Sequence, residues 1–460
     1  MRSINHLWLR PILAFGIGGA IQMGALAETP PDCTTTIDVQ ALITLSAAVD
    51  SALCRDTRTA TTWVSIKAQK IQLAAAKAAY LPTVNASLTA QSNTSQNAQS
   101  PGGNQRVTGY SSYLGLSWRL FDFGERAARE EMAERLLTAA TSTYDDAVRR
   151  TVSDTIQAYF SALQASATLG ARQQSVALAQ RTRDAVRDRE QKGAASRADT
   201  LQAEASLARA RLNLQRAKAE LDKATAVLVQ TMGVPAGTSL RLPDKSPTPS
   251  RADLPDLGQL LDEARAHHPA ILAARYQRDA SQAGVAAARA AGRPTIDFTA
   301  ANYRNGYPNQ SVQASRSSTF TVGATITIPL FDGDSRRNKI QEAQAQAEKS
   351  ELQVTDTENR VLLELVKTHA ELAASLDNID AANQLLQAAQ SAMDSATNRY
   401  ERGVSDILEL ISAQGTLVDA LDARAQCEYQ WNAARLKLMS DLGEMNRDGI
   451  AALDGPLPTP

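Results

Sequence analysis

Leu120-Phe121-Asp122-Phe123-Gly124 returns as Leu330-Phe331-Asp332-Gly333, 210 residues further on. The same offset pairs Gly193 with Gly403, Leu201 with Ile411, Ala203 with Ala413, Leu207 with Leu417 and Met232-Gly233 with Leu442-Gly443, all without a gap. Upstream, Leu81-Pro82-Thr83-Val84 matches Arg293-Pro294-Thr295-Ile296 at an offset of 212, so the length change falls between Pro82 and Phe121. A local length change marks an exposed loop. A repeat this long is a duplicated structural unit and predicts pseudo-twofold symmetry within one chain.

Downstream of the first Leu-Phe-Asp junction, no proline occurs from Phe123 to about residue 190, and Val148, Val152, Ile156, Tyr159 and Leu163 recur at spacings of three and four. That periodicity predicts one very long amphipathic helix over 124–190 and, through Val361, Leu365, Leu372 and Leu376, a second over 335–402. At 1.5 Å per residue each runs roughly 100 Å. Partner helices are expected over 196–232 and 405–442, after turns at Gly193 and Gly403, which stand where a helix C-cap ends. Each half thus holds a helical hairpin with a glycine at its tip.

Upstream of that junction the period changes from about 3.6 to 2. Val84, Ala86, Leu88 and Ala90 alternate with polar residues, as do Leu114, Leu116, Trp118 and Leu120; Phe320, Val322, Ala324, Ile326 and Ile328 do the same in the second repeat. Strands are expected over 82–90, 107–121, 294–303 and 317–330, joined by polar loops over 91–106 and 302–316. A helix over about 59–80 precedes the first strand pair, and a shorter one over about 256–267 opens the second repeat. The domains are then a leader (1–27), repeat 1 (28–233), a proline-rich linker (234–255), repeat 2 (256–443) and a tail (444–460).

The leader has Arg2 and Arg10, an apolar stretch from Ile12 to Leu26 and a final Ala25-Leu26-Ala27, the pattern of a secretory signal peptide cut after Ala27. A membrane anchor is the alternative, but the segment is short and wrongly flanked for one. Beyond it no run of about 18 apolar residues occurs, so a membrane-spanning helix is not expected. Without the leader the formal charge of −1 becomes −3, which argues against a nucleic-acid surface. Of the three cysteines, Cys33 and Cys54 lie close together and an exported chain can keep a bridge between them. Lipidation of Cys33 is the rival, though Pro30-Pro31-Asp32 is a poor cleavage site for it. Cys427 is left as a thiol in a helix.

Each strand is long enough to cross a bilayer, for which about 9–11 tilted residues suffice. A soluble sheet with one wet face gives the same alternation. Export and the lack of a thick soluble core favour the membrane, and there four strands neither close a barrel nor tolerate open edges. Several chains must share one barrel. Tyr110 and Trp118 on the apolar face are candidates for the aromatic girdles of such a barrel, with ordinary strand packing as the alternative.

In its duplicated layout, the Pro82 and Pro294 strand starts, the two Leu-Phe-Asp junctions and the Gly193 and Gly403 tips, the chain resembles the TolC-type outer membrane factor family over essentially all of its mature length. The resemblance implies a mainly α fold with a small β part. Three protomers of that family each give four strands to a 12-stranded β-barrel, and their long hairpins continue it as a periplasmic α-barrel. It also implies a homotrimer in outer-membrane lipid that works with a periplasmic adaptor (a membrane fusion protein) and an inner-membrane transporter. The cysteines near the mature N-terminus and Ala52-Leu53-Cys54 resemble the CyaE-type branch, which exports large toxins. Type I protein secretion is therefore the leading expectation, small-molecule efflux the second, and a periplasmic adaptor or structural coiled-coil protein the rival of another class.

By that resemblance Tyr400 matches the family's gating tyrosine, Glu409 a ring aspartate and Asp199 the acidic partner on the first hairpin, beside the tip glycines Gly193 and Gly403. Ser405 and Ser412 depart from the pattern, standing where an arginine link and a second ring aspartate are found. Glu409 and Asp199 have a plainer reading as well, since carboxylates in the first turn of a helix favour its N-terminus anyway. No catalytic, cofactor or metal constellation is recognised. The histidines are His6, the pair His267-His268 and His369, without metal-ligand spacing, and His267-His268-Pro269 reads as a helix-ending junction.

Overall fold

The computed structural model describes residues 42–96, 104–243, 255–308 and 316–441, all within one unit. The leader 1–27, Cys33, residues 244–254 of the linker and the tail 444–460 lie outside the described residues. Cys54 is disulfide-bonded and Cys427 is a free thiol.

The elements run α1 (Leu45–Arg55), α2 (Thr57–Ala78), β1 (Thr83–Gln96), β2 (Asn104–Phe121), α3 (Glu125–Gln191) and α4 (Arg197–Thr231). The second set comprises α5 (Leu257–His267), α6 (Pro269–Ala290), β3 (Thr295–Gly306), β4 (Arg316–Thr327), α7 (Ser335–Glu401) and α8 (Ile407–Asp441). Helices related by the repeat have equal lengths: 11 residues for α1 and α5, 22 for α2 and α6, 67 for α3 and α7, and 35 for α4 and α8. The strands differ, at 14 and 18 residues against 12 and 12. Helix α1 and the helix over Pro269–Ala290 were not anticipated from periodicity. The proline that ends one helix at His267 stands at the first position of the next, where its missing N–H costs nothing.

The sheet is antiparallel in the order β1-β2-β3-β4. Its register places Val84 opposite Leu116, Leu116 opposite Ala300 and Ala300 opposite Val322, so the apolar positions of all strands share one face. The other face carries the polar set: Arg119 pairs with Asp297 at 3.0 Å, Ser111 bonds Asn305 at 2.7 Å, and the rings of Tyr113 and Tyr303 lie 4.9 Å apart. Leu88, Phe320 and Ile326 are 88%, 69% and 64% exposed, so nothing among the described residues covers the apolar face there. Tyr110 and Trp118 stand on it too. Strand β1 continues past the expected end at 90 to Gln96 through a polar stretch held to β2 by the backbone ladder and by Arg106, whose Nε donates to Ser92 Oγ at 3.1 Å. Strand β4 stops at Thr327 rather than near 330, because Pro329 has no N–H to give the ladder.

Nearest the strands the helices pack in the order α2-α3-α6-α7; towards the glycine turns the order is α4-α3-α8-α7. Where α4 gives way to α2 and α8 to α6, the short helices α1 and α5 cover the cores. Ile43 and Val49 pack with Ile156, Tyr159, Leu163 and Met232; Leu260 and Ala264 pack with Leu365, Leu372 and Trp431. At the second handover Arg149 of α3 binds Asp441, the last residue of α8, and Asp146. Beside them the buried His268 caps α6, its Nδ1 accepting the Ala270 N–H at 3.2 Å. Burial first, and then the charge of Arg149, push this imidazole down to about 4.

Each Leu-Phe-Asp junction makes the turn from sheet to long helix. Phe123 and Gly124 adopt φ of 53° and 99°, and Asp334 with Gly333 does the same in repeat 2, at 64° and 66°. Asp122 accepts the N–H groups of Gly124 and Arg126 and pairs with the Arg126 guanidinium at 2.7 Å. Arg126 in turn donates to the carbonyls of Arg119 and Ala79, tying β2, α2 and α3 together. Burial alone would raise the Asp122 carboxyl; the hydrogen bonds from Arg126 and Gly124 outweigh it and hold it below its ordinary range. Asp332 and Arg336 repeat the arrangement, with Arg336 reaching the carbonyls of Gly292 and Pro329.

Disturbing either of these buried groups has a measurable cost. Arg126→Ala strands Asp122, whose side chain is 7% exposed, and is expected to cost about 3–5 kcal/mol, read as a lower apparent melting temperature. For His268 the unfolded chain binds more protons than the folded one between about pH 6.5 and pH 4, so stability falls as pH drops through that window, by on the order of 3 kcal/mol. His268→Asn keeps a cap acceptor but cannot titrate, and melting curves from pH 7 to 4 should lose that component.

Candidate functional site at the hairpin tips

The turns between α3 and α4 and between α7 and α8 are built alike. Gly193 and Gly403 both have φ of 75°, where a side chain would be strained. Ala194 N–H returns to the Arg189 carbonyl at 2.8 Å and Val404 N–H to that of Arg399 at 2.9 Å, closing each helix. The helix starts beyond the two turns differ. Helix α4 begins with a reciprocal capping box: Asp199 N–H donates to Ser196 Oγ at 3.1 Å, and Ser196 N–H to Asp199 Oδ2 at 3.0 Å. At α8 the cap is Asp406, whose Oδ1 accepts Glu409 N–H at 2.9 Å, and this leaves the Glu409 carboxylate for other partners. It takes Arg399 of α7 at 3.0 Å and the hydroxyl of Ser405, the residue that departs from the family pattern.

Tyr400 lies in a buried cluster with Val186 and Ala203 of the first hairpin and Met393, Ile407 and Leu410 of the second. The two hairpins therefore pack on each other at their tips. Arg189 of α3 crosses between them. Its Nη1 donates to the Tyr400 carbonyl at 2.7 Å, and its guanidinium stands 4.8 Å from the Tyr400 ring. A cation there also complements the negative end of α7. Burial raises the Tyr400 phenol, Arg189 opposes that and Asp199 adds to it, so all three groups share one electrostatic neighbourhood. The Tyr400 hydroxyl is buried and has no hydrogen-bond partner among the described residues. Deeper in the same contact, Gln414 donates to Thr182 at 2.6 Å.

Tyr400, Glu409 and Asp199 are thus gathered at the tips, with Asp199 committed to its own helix start. Sequence reasoning passed over Arg189 and Arg399. They are related by the 210-residue offset and stand four residues before each tip glycine, a regularity that would have found them. No cluster of metal-ligating side chains occurs among the described residues.

An open four-stranded sheet with one apolar face, set on duplicated helical hairpins, defines an outer-membrane channel protein. The chain belongs to the outer membrane efflux protein family, whose model matches residues 48–234 and 260–444. It is 30% identical over 449 residues to Protein CyaE of Bordetella pertussis, covering 95% of this chain and 94% of that protein. Outer membrane efflux protein BepC of Brucella suis is 26% identical over 409 residues, covering 88% and 87%. Among solved structures, the CmeC outer membrane channel of Campylobacter jejuni superposes with a TM-score of 0.78 at 16% identity, over 90% of this chain and 92% of that one. VceC of Vibrio cholerae does so with a TM-score of 0.74 at 20% identity, over 87% and 96%. The chain is accordingly a TolC-type channel of the bacterial outer membrane that extends into the periplasm.

Planar-bilayer recordings test the tip contacts. Arg189→Ala frees the end of α7 and is expected to raise the basal conductance. Glu409→Ala is expected to weaken block by multivalent cations, since carboxylates repeated around a pore attract them. Unchanged conductance and block in both variants would remove these residues from any gate.

Proposed function

We propose that three copies of this chain form one closed conduit through which a type I secretion system passes a protein cargo across the periplasm and outer membrane. The observation that carries the assembly is the sheet: four strands, an exposed apolar face, and no partner for the outer edges of β1 and β4 among the described residues. Backbone groups at a sheet edge find no water in lipid, so the edges must pair, and the only edges of matching length and face come from further copies. Twelve strands then close the barrel.

Channel opening fits the tips. Tyr400 and Arg189 hold the two hairpins together at the end remote from the sheet, Glu409 is bound to Arg399 beside them, and Glu409 from three protomers would ring the same level. Recruitment by a periplasmic adaptor and an inner-membrane transporter supplies the energy, which a passive conduit lacks. The choice of protein secretion over small-molecule efflux is supported by the similarity to CyaE, which exceeds that to BepC in identity and in coverage of both chains. A bridge from Cys33 to Cys54 belongs to the same reading.

Deletion of the gene tests it. Loss of one secreted protein, with susceptibility to small toxic compounds unchanged, is the expected result. Broad sensitisation with an intact secreted proteome would assign the channel to efflux, and recovery of the protein outside the outer membrane would end the conduit reading altogether.

A further inference from the structure

The apolar face of the sheet ends in arginines. Residues 83–121 and 295–330 contain Arg106, Arg119, Arg304 and Arg316, no lysine, and a single carboxylate, Asp297. Arg119 and Asp297 pair with each other on the polar face, near the helix junctions. The other three arginines lie at the loop end of the strands and, by register, on the apolar face. Arg304 stands in one row with Leu88, Ser112 and Ser318, and Arg316 in the next row with Ala90, Tyr110 and Gly306. Arg106 follows two rows further out on β2, where it bonds Ser92 of β1.

A guanidinium that faces hydrocarbon is costly at mid-bilayer and tolerated at the interface. From Ile326 to Ser318 strand β4 rises about 26 Å, or about 20 Å in height at a tilt of about 40°, so the Arg304 row stands close to the upper rim of an apolar band about 25 Å tall. The helices extend into the periplasm, so that rim belongs to the outer leaflet. Arg304 and Arg316 are exposed, and among the described residues no ion pair or side-chain hydrogen bond engages either. Asp297, already paired, is the one carboxylate of the strands and their loops, so none competes for these cations. Across the ladder Arg304 is flanked by the hydroxyls of Ser112 and Ser318. The Tyr110 ring lies over Gly306, where any Cβ would collide with it, and this turns the phenol towards β4 and Arg316.

We propose that Arg304 and Arg316, with the hydroxyls of Ser112, Ser318 and Tyr110, hold the phosphate of a lipid headgroup in the outer leaflet, whose acyl chains lie down the apolar face along Leu88, Leu114 and Phe320. Guanidinium forks match phosphate oxygens two at a time, and the hydroxyls donate to those that remain. Arg106 adds a third positive charge further out, which attracts an anionic headgroup surface. The apolar rows directly below the arginines are of no use to a free anion, and they make a lipid the ligand. The inference needs only the apolar face to lie in outer-membrane lipid and is independent of cargo and gating.

Full-length channel, extracted from outer membranes and delipidated in detergent, tests the site by titration with lipid A carrying its phosphates, with the same lipid after dephosphorylation, and with inorganic phosphate. The unmodified channel is expected to bind the phosphorylated lipid roughly tenfold more tightly than the dephosphorylated one, with inorganic phosphate at equal concentration failing to displace it. Arg304→Gln combined with Arg316→Gln is expected to weaken binding of the phosphorylated lipid by a similar factor, while Arg216→Gln on α4, far from the sheet, leaves it unchanged. Equal affinity for the two lipids, unchanged affinity in the double variant, or an equal loss from Arg216→Gln overturns the inference. Displacement by inorganic phosphate as effective as by the lipid makes this a free-anion site and overturns it as well. The comparison of the two lipids uses the unmodified chain, so it decides the matter even where the double variant does not reach the membrane.

Discussion

A peptide group that faces lipid without a hydrogen-bond partner has no water to turn to, and this constraint governs the rest of the molecule. The chain contributes a sheet whose register aligns every apolar position on one face, and that alignment is useful only where the surroundings are apolar. Leu88 and Phe320 are exposed to an extent that a water-soluble sheet of this size would bury. Once the face is committed to lipid, the outer edges of β1 and β4 cannot remain open. In the proposed trimer their pairing would fix how neighbouring copies approach, and the helices beneath would follow the same circle.

The repeat shows where that requirement is strict. Every helix of one half has a counterpart of equal length in the other, while the strands differ by two residues in one case and by six in the other. A helix wall built from alternating halves needs equal heights, so that handovers and tips fall level. Strand length beyond the bilayer only lengthens polar loops and carries no such penalty. The Asp122–Arg126 and Asp332–Arg336 pairs sit where the two regimes meet. Each uses one guanidinium to collect the carbonyls freed as the chain leaves the ladder and enters the helix.

Much of this was legible in the sequence because it depends on periodicity. Strands that alternate Val84, Ala86 and Leu88 with polar neighbours, and helices that recur through Val152, Ile156 and Leu163, announce both their type and their buried face. The Pro269–Ala290 helix was hidden by local punctuation, since a proline after two histidines reads as a stop. Its length was nonetheless implied by Thr57–Ala78 at the offset of 212. Strand β1 beyond residue 90 was illegible for a different reason: its sequence loses the apolar–polar alternation there, while backbone pairing with β2 continues. At the tips, Tyr400 and Glu409 could be named from resemblance, but the arginine that grips Tyr400 lies 211 residues away in sequence. A contact of that range has no periodic signature.

Duplication also explains why the tips can differ without losing their geometry. The backbone closure at Gly193 and Gly403 is the same, so changes in side chain only redistribute charge. In the first hairpin Asp199 serves its own helix start; in the second Asp406 takes that duty and Glu409 is released to bind Arg399 and Ser405. Arg189 and Arg399 occupy equivalent positions of the repeat. The first caps the other hairpin, and the second neutralises Glu409. The contact between halves at the tips joins the cation of Arg189, a helix end and an aromatic ring to the buried side chains of Val186, Ala203, Met393, Ile407 and Leu410. The long helices that carry this contact are anchored far from it, at the handovers, by Ile156, Leu163, Leu365 and Leu372.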